Sequence, residues 1–177
     1  MTAENLPVVI QAVSFAAEKH RKQRRLDVDS SPYINHPIAL VHLLCVEARI
    51  LEPEVLAAAA LHDTIEDTST TLIELHRKFG PRIADIVSEV TDDKSLPPAM
   101  RKSLQIKTAP KKSREATLVT IADKIANLRD IKSNPPPAWS AERCQDYFDW
   151  ARQVVERLPI VSQELIELFE EAYRRRI

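Results

Sequence analysis

Many prolines and a single glycine constrain this chain more than any other feature of its sequence. The 177 residues include twelve prolines and one glycine, Gly80. A P-loop or a dinucleotide-binding fingerprint needs several glycines, because the backbone must approach phosphate closely there. Any phosphate chemistry in this chain would therefore depend on side chains and a metal ion rather than on a glycine-rich loop.

The prolines also predict the class of fold. Most of them open a segment with helical periodicity, as expected of a residue that suits the first turn of a helix but not its interior. The length suits one domain, which we place at residues 1–177, and the fold is predicted to be all-α. The predicted helices cover residues 8–22, 37–49, 53–66, 71–79, 81–90, a short segment after Pro98, 113–132, 140–158 and an amphipathic packing helix at 160–175.

Charge and hydropathy exclude several classes of protein. A net charge of −1 argues against nucleic-acid binding, which usually requires a strongly basic surface. Neither a membrane-spanning stretch nor the pattern of a signal peptide is present, so we expect a cytoplasmic protein without a membrane partner. Cys45 and Cys144 lie far apart without metal-ligand spacing and are predicted to be reduced thiols. Whether the final helix packs within the chain or in a homo-oligomer is left open.

Ionisable residues follow the most apolar predicted helix. Residues 55–61 are apolar on every side, which predicts a buried central helix, and His62, Asp63, Glu66 and Asp67 come directly after them. Burying such groups without partners costs roughly several kcal/mol. A divalent metal ion would offset this cost, because imidazole and carboxylate together suit such an ion. Adjacent His62 and Asp63 could reach one ion, and the two acids one turn later could handle protons. The alternative is a helix end with its acids in solvent, capped near Thr64.

Two further segments place polar side chains next to predicted helices. Asp123 follows the apolar residues 118–122, and Asn127 comes one helical turn later. His36 precedes Pro37 and should lie just before a helix, where its ring could point into a cleft. A lone histidine at such a position is more often a capping or core residue, so His36 gains weight only together with the other groups.

The order of these residues resembles a known family. The resemblance is carried by Gln-Arg-Arg at 23–25, Pro-Tyr-Ile-Asn-His-Pro at 32–37, Ala-Ala-Leu-His-Asp-Thr-Ile-Glu-Asp-Thr at 59–68, Phe-Gly at 79–80, Val-Thr-Asp-Asp-Lys at 90–94, Ala-Asp-Lys-Ile-Ala-Asn-Leu-Arg at 122–129, and Trp139, Tyr147 and Trp150. Together they are similar to the HD hydrolase domain of the RelA/SpoT homologues, above all to the small stand-alone alarmone hydrolases, over residues 8–158.

The resemblance implies a multi-helix HD-domain bundle with a Mn²⁺ site in its central cleft. It implies metal ligands at His36, His62, Asp63 and Asp123, with Glu66 and Asp67 as the catalytic pair. The substrate-binding residues that it implies are Arg24, Arg25, Lys94, Asn127 and Tyr147. The expected reaction is hydrolysis of the 3′-pyrophosphate of guanosine tetra- or pentaphosphate to GDP or GTP and pyrophosphate, without a synthetase activity.

Departures from the family pattern at two places, residues 26–31 and Thr120, keep alternatives open. Leu26 stands where these hydrolases often have lysine, and residues 28–31 replace a short loop that usually contains glycine. Thr120 also stands where related sequences often carry lysine. These changes could favour another nucleotide, such as NADPH attacked at its 2′-phosphate. A third hypothesis is a catalytically silent HD module that senses a nucleotide or binds a partner, although a sensor has no need of Glu66 and Asp67.

Overall fold

Helices and short turns make up the computed structural model, which describes residues 6–174. The helices are α1 (Leu6–Lys19), α2 (Asn35–His42), α3 (Pro53–Leu61), α4 (Thr64–Asp67), α5 (Leu72–Phe79), α6 (Pro81–Val90), α7 (Pro98–Thr108), α8 (Arg114–Ser133), α9 (Ala141–Val155) and α10 (Gln163–Arg174). A π-helical turn (Leu43–Glu47) continues α2, and a 3₁₀ turn (Ala109–Lys111) follows α7. Residues 6–174 contain no β-strand, and the all-α prediction is confirmed.

Helix α3 is the centre of the core, as its apolar sequence predicts. Residues 55–61 are all between 0 and 1% exposed, and α1, α2, α6 and α8 pack around the helix. The four alanines at 57–60 let these neighbours approach closely while adding apolar area to the core. The end of α3 therefore delivers His62 and Asp63 into the interior of the bundle.

The prediction of one helix over residues 53–66 is wrong. Helix α3 ends at Leu61, and Thr64 opens the separate short helix α4 after a turn at His62 and Asp63. The buried Thr64 hydroxyl donates a hydrogen bond of 2.6 Å to the Leu61 carbonyl oxygen. Threonine hydroxyls that bond a carbonyl one turn back bend helices, which accounts for the change of direction at this point.

Several other predicted boundaries shift by two or more residues, among them the end of α9, which is Val155 instead of residue 158. Helix α1 ends at Lys19, so the basic segment 20–25 lies in a loop rather than on a helix end. Helix α2 begins at Asn35, which places His36 inside the first turn instead of before it. Helix α10 begins only at Gln163, because the Ser162 hydroxyl accepts the Leu165 amide, and Ile160 is 84% exposed.

The C-terminal helices complete the bundle around α8. Helix α8 contacts α2, α3 and α6 on one side and α9 and α10 on the other. The packing role predicted for the last helix is confirmed for Gln163–Arg174, while residue 175 of that prediction lies outside the described residues. Cys45 and Cys144 are free thiols, as predicted. Among the described residues, no helix has the length and apolarity to cross a membrane.

Candidate metal centre and active site

Three elements bring imidazole and carboxylate groups together in the cleft. His36 comes from the first turn of α2, His62 and Asp63 from the turn between α3 and α4, and Asp123 from the middle of α8. His36 Nε2 lies 3.1 Å from Asp123 Oδ1, and His62 Nε2 lies 2.8 Å from Asp63 Oδ2. The cross distances are 3.9 Å from His36 Nε2 to Asp63 Oδ2 and 3.8 Å from His62 Nε2 to Asp123 Oδ1.

These donor atoms fit a single divalent ion. Ligands with bonds of about 2.0–2.2 Å to one ion lie roughly 3–4 Å from each other, and the imidazole nitrogens here lie 2.8–3.9 Å from the carboxylate oxygens. His36, His62 and Asp123 form a compact set with ligand atoms all within 4.8 Å of one another, and Asp63 stands beside it. The chemistry of the set, two imidazoles and two carboxylates, is that of sites for Mn, Fe, Co or Zn.

The orientation of His62 supports metal binding. Its Nδ1 lies 2.9 Å from the carbonyl oxygen of Ala59, which can only accept a hydrogen bond, so Nδ1 carries the proton. In the neutral imidazole the lone pair is then on Nε2, which is buried in the cluster 2.8 Å from Asp63 Oδ2. Metal-ligating histidines are commonly held by a carbonyl in this way, which fixes the tautomer and aims the other nitrogen at the ion.

The electrostatics of the cluster favour added positive charge. Burial alone would raise the pKa of Asp63 and of Asp123, but the imidazoles, and for Asp123 also Lys124, hold both pKa values well below their usual range. Burial opposes a charge on His62, yet the Asp63 carboxylate outweighs it and raises the pKa of His62 to about 9. The carboxylates thus attract a cation into the cleft, and a divalent ion supplies that charge.

A surrounding shell of side chains orients the two carboxylates. The Tyr33 hydroxyl donates to Asp63 Oδ2 at 2.5 Å. The Asn127 amide donates to Asp123 Oδ1 at 2.7 Å, and Lys124 Nζ lies 3.0 Å from Asp123 Oδ2. No roles were assigned to Tyr33 and Lys124 from the sequence. Both lie in segments that carry the family resemblance, and their positions close to His36 and Asp123 in the sequence could have indicated a role at the site.

Two cavities meet at this cluster. The first, of about 670 Å³, is lined by His62, Asp63, Glu66 and Asp123 and extends toward α7 and the 3₁₀ turn. The second, of about 580 Å³, lies toward the loop after α1 and the C-terminal end of α8. Four residues line both cavities and form their common wall: Tyr33, His36, Asn127 and Tyr147.

Glu66 faces the first cavity. Its Oε2 accepts the Asp92 amide at 3.1 Å, and Arg101 Nη1 lies 3.4 Å from Oε1. Burial raises the pKa of Glu66 to about 7, and the nearby carboxylates of Asp63, Asp92 and Asp67 act in the same direction. The hydrogen bond from the Asp92 backbone amide lowers this pKa but is outweighed. A carboxyl group with a pKa near neutrality beside a metal-binding set can accept or release a proton at physiological pH.

Asp67 faces the second cavity and is held on both oxygens. Gln23 Nε2 donates to Oδ2 at 2.8 Å, and the Lys94 ammonium donates to Oδ1. Gln23 is itself fixed, because its Oε1 lies 2.6 Å from Nδ1 of the buried His20. The two acids predicted as a pair therefore occupy different surroundings, a distinction that their spacing in the sequence did not reveal.

The predicted substrate-binding residues line the second cavity. Arg25 pairs with Asp130, and its guanidinium carbon lies 5.7 Å from the centre of the Tyr33 ring. Arg24 is exposed and donates to the carbonyl oxygens of Arg21 and Gln23. Asp130 was not identified from the sequence as the partner of Arg25, because nothing in the sequence distinguishes it from an acidic residue on the surface.

The remaining predicted positions also lie at the cavities. Asn127 and Tyr147 stand in the shared wall, and Lys94 is 48% exposed at the entrance of the second cavity. Leu26 lines the second cavity with a 71% exposed side chain. Thr120 lines the first cavity, where its hydroxyl donates to the Ala116 carbonyl oxygen. Both departures from the family pattern thus touch the site.

Comparisons with known proteins agree with this geometry. A family model described as "HD domain" matches residues 12–149. The guanosine-3′,5′-bis(diphosphate) 3′-pyrophosphohydrolase MESH1 of Danio rerio is 49% identical over 175 residues, which cover 97% of each chain. Its counterpart of the same name from Homo sapiens is 48% identical over 168 residues, 95% of this chain and 94% of the relative.

A solved structure agrees over nearly the whole chain. It is described as a metazoan ortholog of SpoT that hydrolyses ppGpp and plays a role in starvation responses. The TM-score is 0.93 at 43% identity, covering 99% of this chain and 97% of that chain. The chain therefore belongs to the HD-domain hydrolases of the RelA/SpoT homologue family.

Proposed function

We propose that this protein is a Mn²⁺-dependent guanosine-3′,5′-bis(diphosphate) 3′-pyrophosphohydrolase that acts as a single domain. The observation that carries the proposal is the set of two imidazoles and two carboxylates in the cavity that Glu66 also lines, at the point where two cavities meet. The reaction printed in the names of the Danio rerio and Homo sapiens relatives supports it, because their identity to this chain extends over nearly its full length.

His36, His62, Asp63 and Asp123 would hold the ion. A divalent ion at this position lowers the pKa of bound water and screens negative charge on the attacked phosphorus. The protein contributes the fixed orientation of three ligands, since Ala59 holds His62, Tyr33 holds Asp63, and Asn127 and Lys124 both hold Asp123.

The two acids of α4 have separate tasks in this proposal. Glu66 accepts the proton of the attacking water, because its pKa of about 7 and its position in the first cavity suit a general base. Asp67 is engaged by Gln23 and Lys94, so it fixes the Lys94 ammonium at the entrance of the second cavity. There the ammonium can meet a phosphate of the substrate.

The second cavity would take the nucleoside. Arg25 and Tyr147 line it and offer a planar cation and an aromatic ring for a purine, and Arg24 adds charge at its rim. In the reaction, the water oxygen bonds to the phosphorus attached to the ribose 3′-oxygen. The bond between that phosphorus and the 3′-oxygen breaks, the oxygen takes up a proton, and GDP or GTP and pyrophosphate result.

A substrate panel tests this proposal. Purified protein is freed of metal, reloaded with Mn²⁺, Mg²⁺, Zn²⁺ or Co²⁺, and offered guanosine tetraphosphate, NADPH and GTP, with phosphate and pyrophosphate measured separately. We expect pyrophosphate from guanosine tetraphosphate with Mn²⁺ as the most active ion. Phosphate from NADPH alone would assign a nucleotide phosphatase instead, and binding without turnover of any substrate would indicate a silent sensing module.

A further inference from the structure

One wall of the first cavity carries four cationic side chains. Arg101 comes from α7, Lys111 from the 3₁₀ turn, Lys112 from the link between that turn and α8, and Lys124 from the middle of α8. Their hydrogen bonds and ion pairs differ, and the differences show which of them is available to a ligand.

Two of the cations already have carboxylate partners. Lys124 Nζ lies 3.0 Å from Asp123 Oδ2 and 4.5 Å from the centre of the Trp150 ring, and the residue is only 4% exposed. Arg101 Nη1 lies 3.4 Å from Glu66 Oε1. Both side chains therefore serve the acids of the metal centre, and Lys111 is largely in solvent.

Lys112 is different because no carboxylate oxygen lies at ion-pair distance from its half-buried ammonium, although the Glu89 and Asp92 carboxylates act on it from further away. Its Nζ donates to the backbone carbonyl oxygen of Glu89 at 2.6 Å, and no carboxylate of residues 6–174 pairs with it. The Glu89 carboxylate is engaged elsewhere, since it accepts the Ser113 amide at 2.5 Å. Burial lowers the pKa of Lys112, which is the mark of a cation held away from water without full compensation.

The other polar groups near Lys112 are engaged with each other. Asp92 accepts Gln105 Nε2 at 2.8 Å, and Asp93 accepts the Ser95 amide at 2.9 Å. Thr120 on the same wall has its hydroxyl on the Ala116 carbonyl oxygen. The Lys112 ammonium has three donors and uses one on the Glu89 carbonyl oxygen, and unlike Arg101 and Lys124 it has no carboxylate within ion-pair distance.

We propose that Lys112 anchors an anion subsite in the first cavity, which takes the terminal phosphate of the pyrophosphoryl group and retains pyrophosphate after cleavage. The inference rests on the proposed function. If the nucleoside lies in the second cavity and the attacked phosphorus lies at the cluster, the phosphate beyond that phosphorus extends into the first cavity. The subsite thus distinguishes a pyrophosphoryl substrate from a nucleotide with a single phosphate at the same position.

Pyrophosphate itself is the probe. Isothermal titration of the Mn²⁺-loaded protein with inorganic pyrophosphate is compared for wild type, Lys112→Met, Lys112→Arg and Lys107→Met. Lys107 is the matched control, an exposed lysine on α7 that does not line either cavity. Loss of a charge-assisted hydrogen bond predicts roughly tenfold weaker pyrophosphate binding by Lys112→Met, near wild-type binding by Lys112→Arg and no change in Lys107→Met.

Three results would overturn the subsite. They are unchanged pyrophosphate binding in Lys112→Met, equally poor binding in Lys112→Arg, and an equal loss of GDP binding in Lys112→Met. Thermal melting of each variant checks that it is folded. If the wild type binds pyrophosphate through Lys112 but hydrolyses no nucleotide, the proposed function is refuted and the subsite stands. If Lys112→Met is active and binds pyrophosphate normally, the subsite is refuted and the proposed function stands.

Discussion

At the scale of a single residue, the buried carboxyl group of Glu66 lowers the free energy of unfolding of the protein. Its side chain is 18% exposed, and burial raises its pKa from 4.5 to about 7. Between these pH values the folded state binds more protons than the unfolded state, so this residue lowers the stability of the protein as pH rises through that window. The penalty is complete above pH 7, absent below pH 4.5, and amounts to at most about 3 kcal/mol.

Glu66→Gln should therefore stabilise the metal-free protein at alkaline pH. The amide oxygen can still accept the Asp92 amide, while the buried charge is removed. Urea unfolding of both proteins in the presence of a chelator should give equal free energies of unfolding near pH 4.5 and a more stable variant at pH 8. A difference that does not change with pH would contradict the account of Glu66.

Gln23 is a second residue whose effect is local. It donates to Asp67 and lies against His20 Nδ1, so its amide sets the direction of the Asp67 carboxylate. Gln23→Leu, similar in size but without hydrogen bonds, should raise the KM for guanosine tetraphosphate roughly tenfold, the value of one hydrogen bond to a charged group, because Asp67 positions the Lys94 ammonium. Steady-state kinetics on guanosine tetraphosphate measures this, with the exposed neighbour Lys22→Met as control. Equal KM in Gln23→Leu and wild type would show that Asp67 needs no positioning by Gln23.

The candidate site could be predicted as a list of residues but not as an arrangement. Polar groups after apolar segments marked His62, Asp63 and Asp123, the family resemblance completed the set with His36, and the structure brings the four side chains together. Partners such as Asp130 come from distant segments and carry no local signal, so only the fold reveals them.

At the scale of elements, the turn between α3 and α4 decides where the acids point. The sequence predicts the buried helix at 55–61 well, because its apolar pattern is continuous. It does not predict the end of that helix at Leu61, because His62 and Asp63 keep helical backbone angles and no proline or glycine stands there. The break depends on a side-chain bond from Thr64 that propensity alone does not indicate.

Thr64→Val tests the role of this bond. Valine has the shape of threonine but leaves the buried Leu61 carbonyl oxygen without its donor, at a cost of about 1–3 kcal/mol in the free energy of unfolding. Because the turn also sets the geometry of His62 and Asp63, Mn²⁺ affinity measured by titration should fall as well. Thr64→Ser keeps the hydroxyl and should retain the affinity. If Thr64→Val binds Mn²⁺ like the wild type, the bond does not shape the site.

At the scale of the whole molecule, the all-α architecture and the central position of α3 follow from the sequence, since helical periodicity and apolar content are local properties. The division of the cleft into two cavities does not, because it arises where α2, α4, α7 and α8 meet. This division is what places Glu66 and Asp67 on different sides of Tyr33, His36, Asn127 and Tyr147.

The most direct test of the proposed hydrolase activity measures the products that two variants and the wild type release from guanosine tetraphosphate. Asp123→Ala removes a carboxylate of the metal set, whereas Asp85→Ala removes a 68% exposed carboxylate on α6. With Mn²⁺ present, wild type and Asp85→Ala should release GDP and pyrophosphate in a ratio of one to one, and Asp123→Ala should lose activity by roughly a hundredfold or more. Equal rates in Asp123→Ala and wild type would contradict catalysis at this centre.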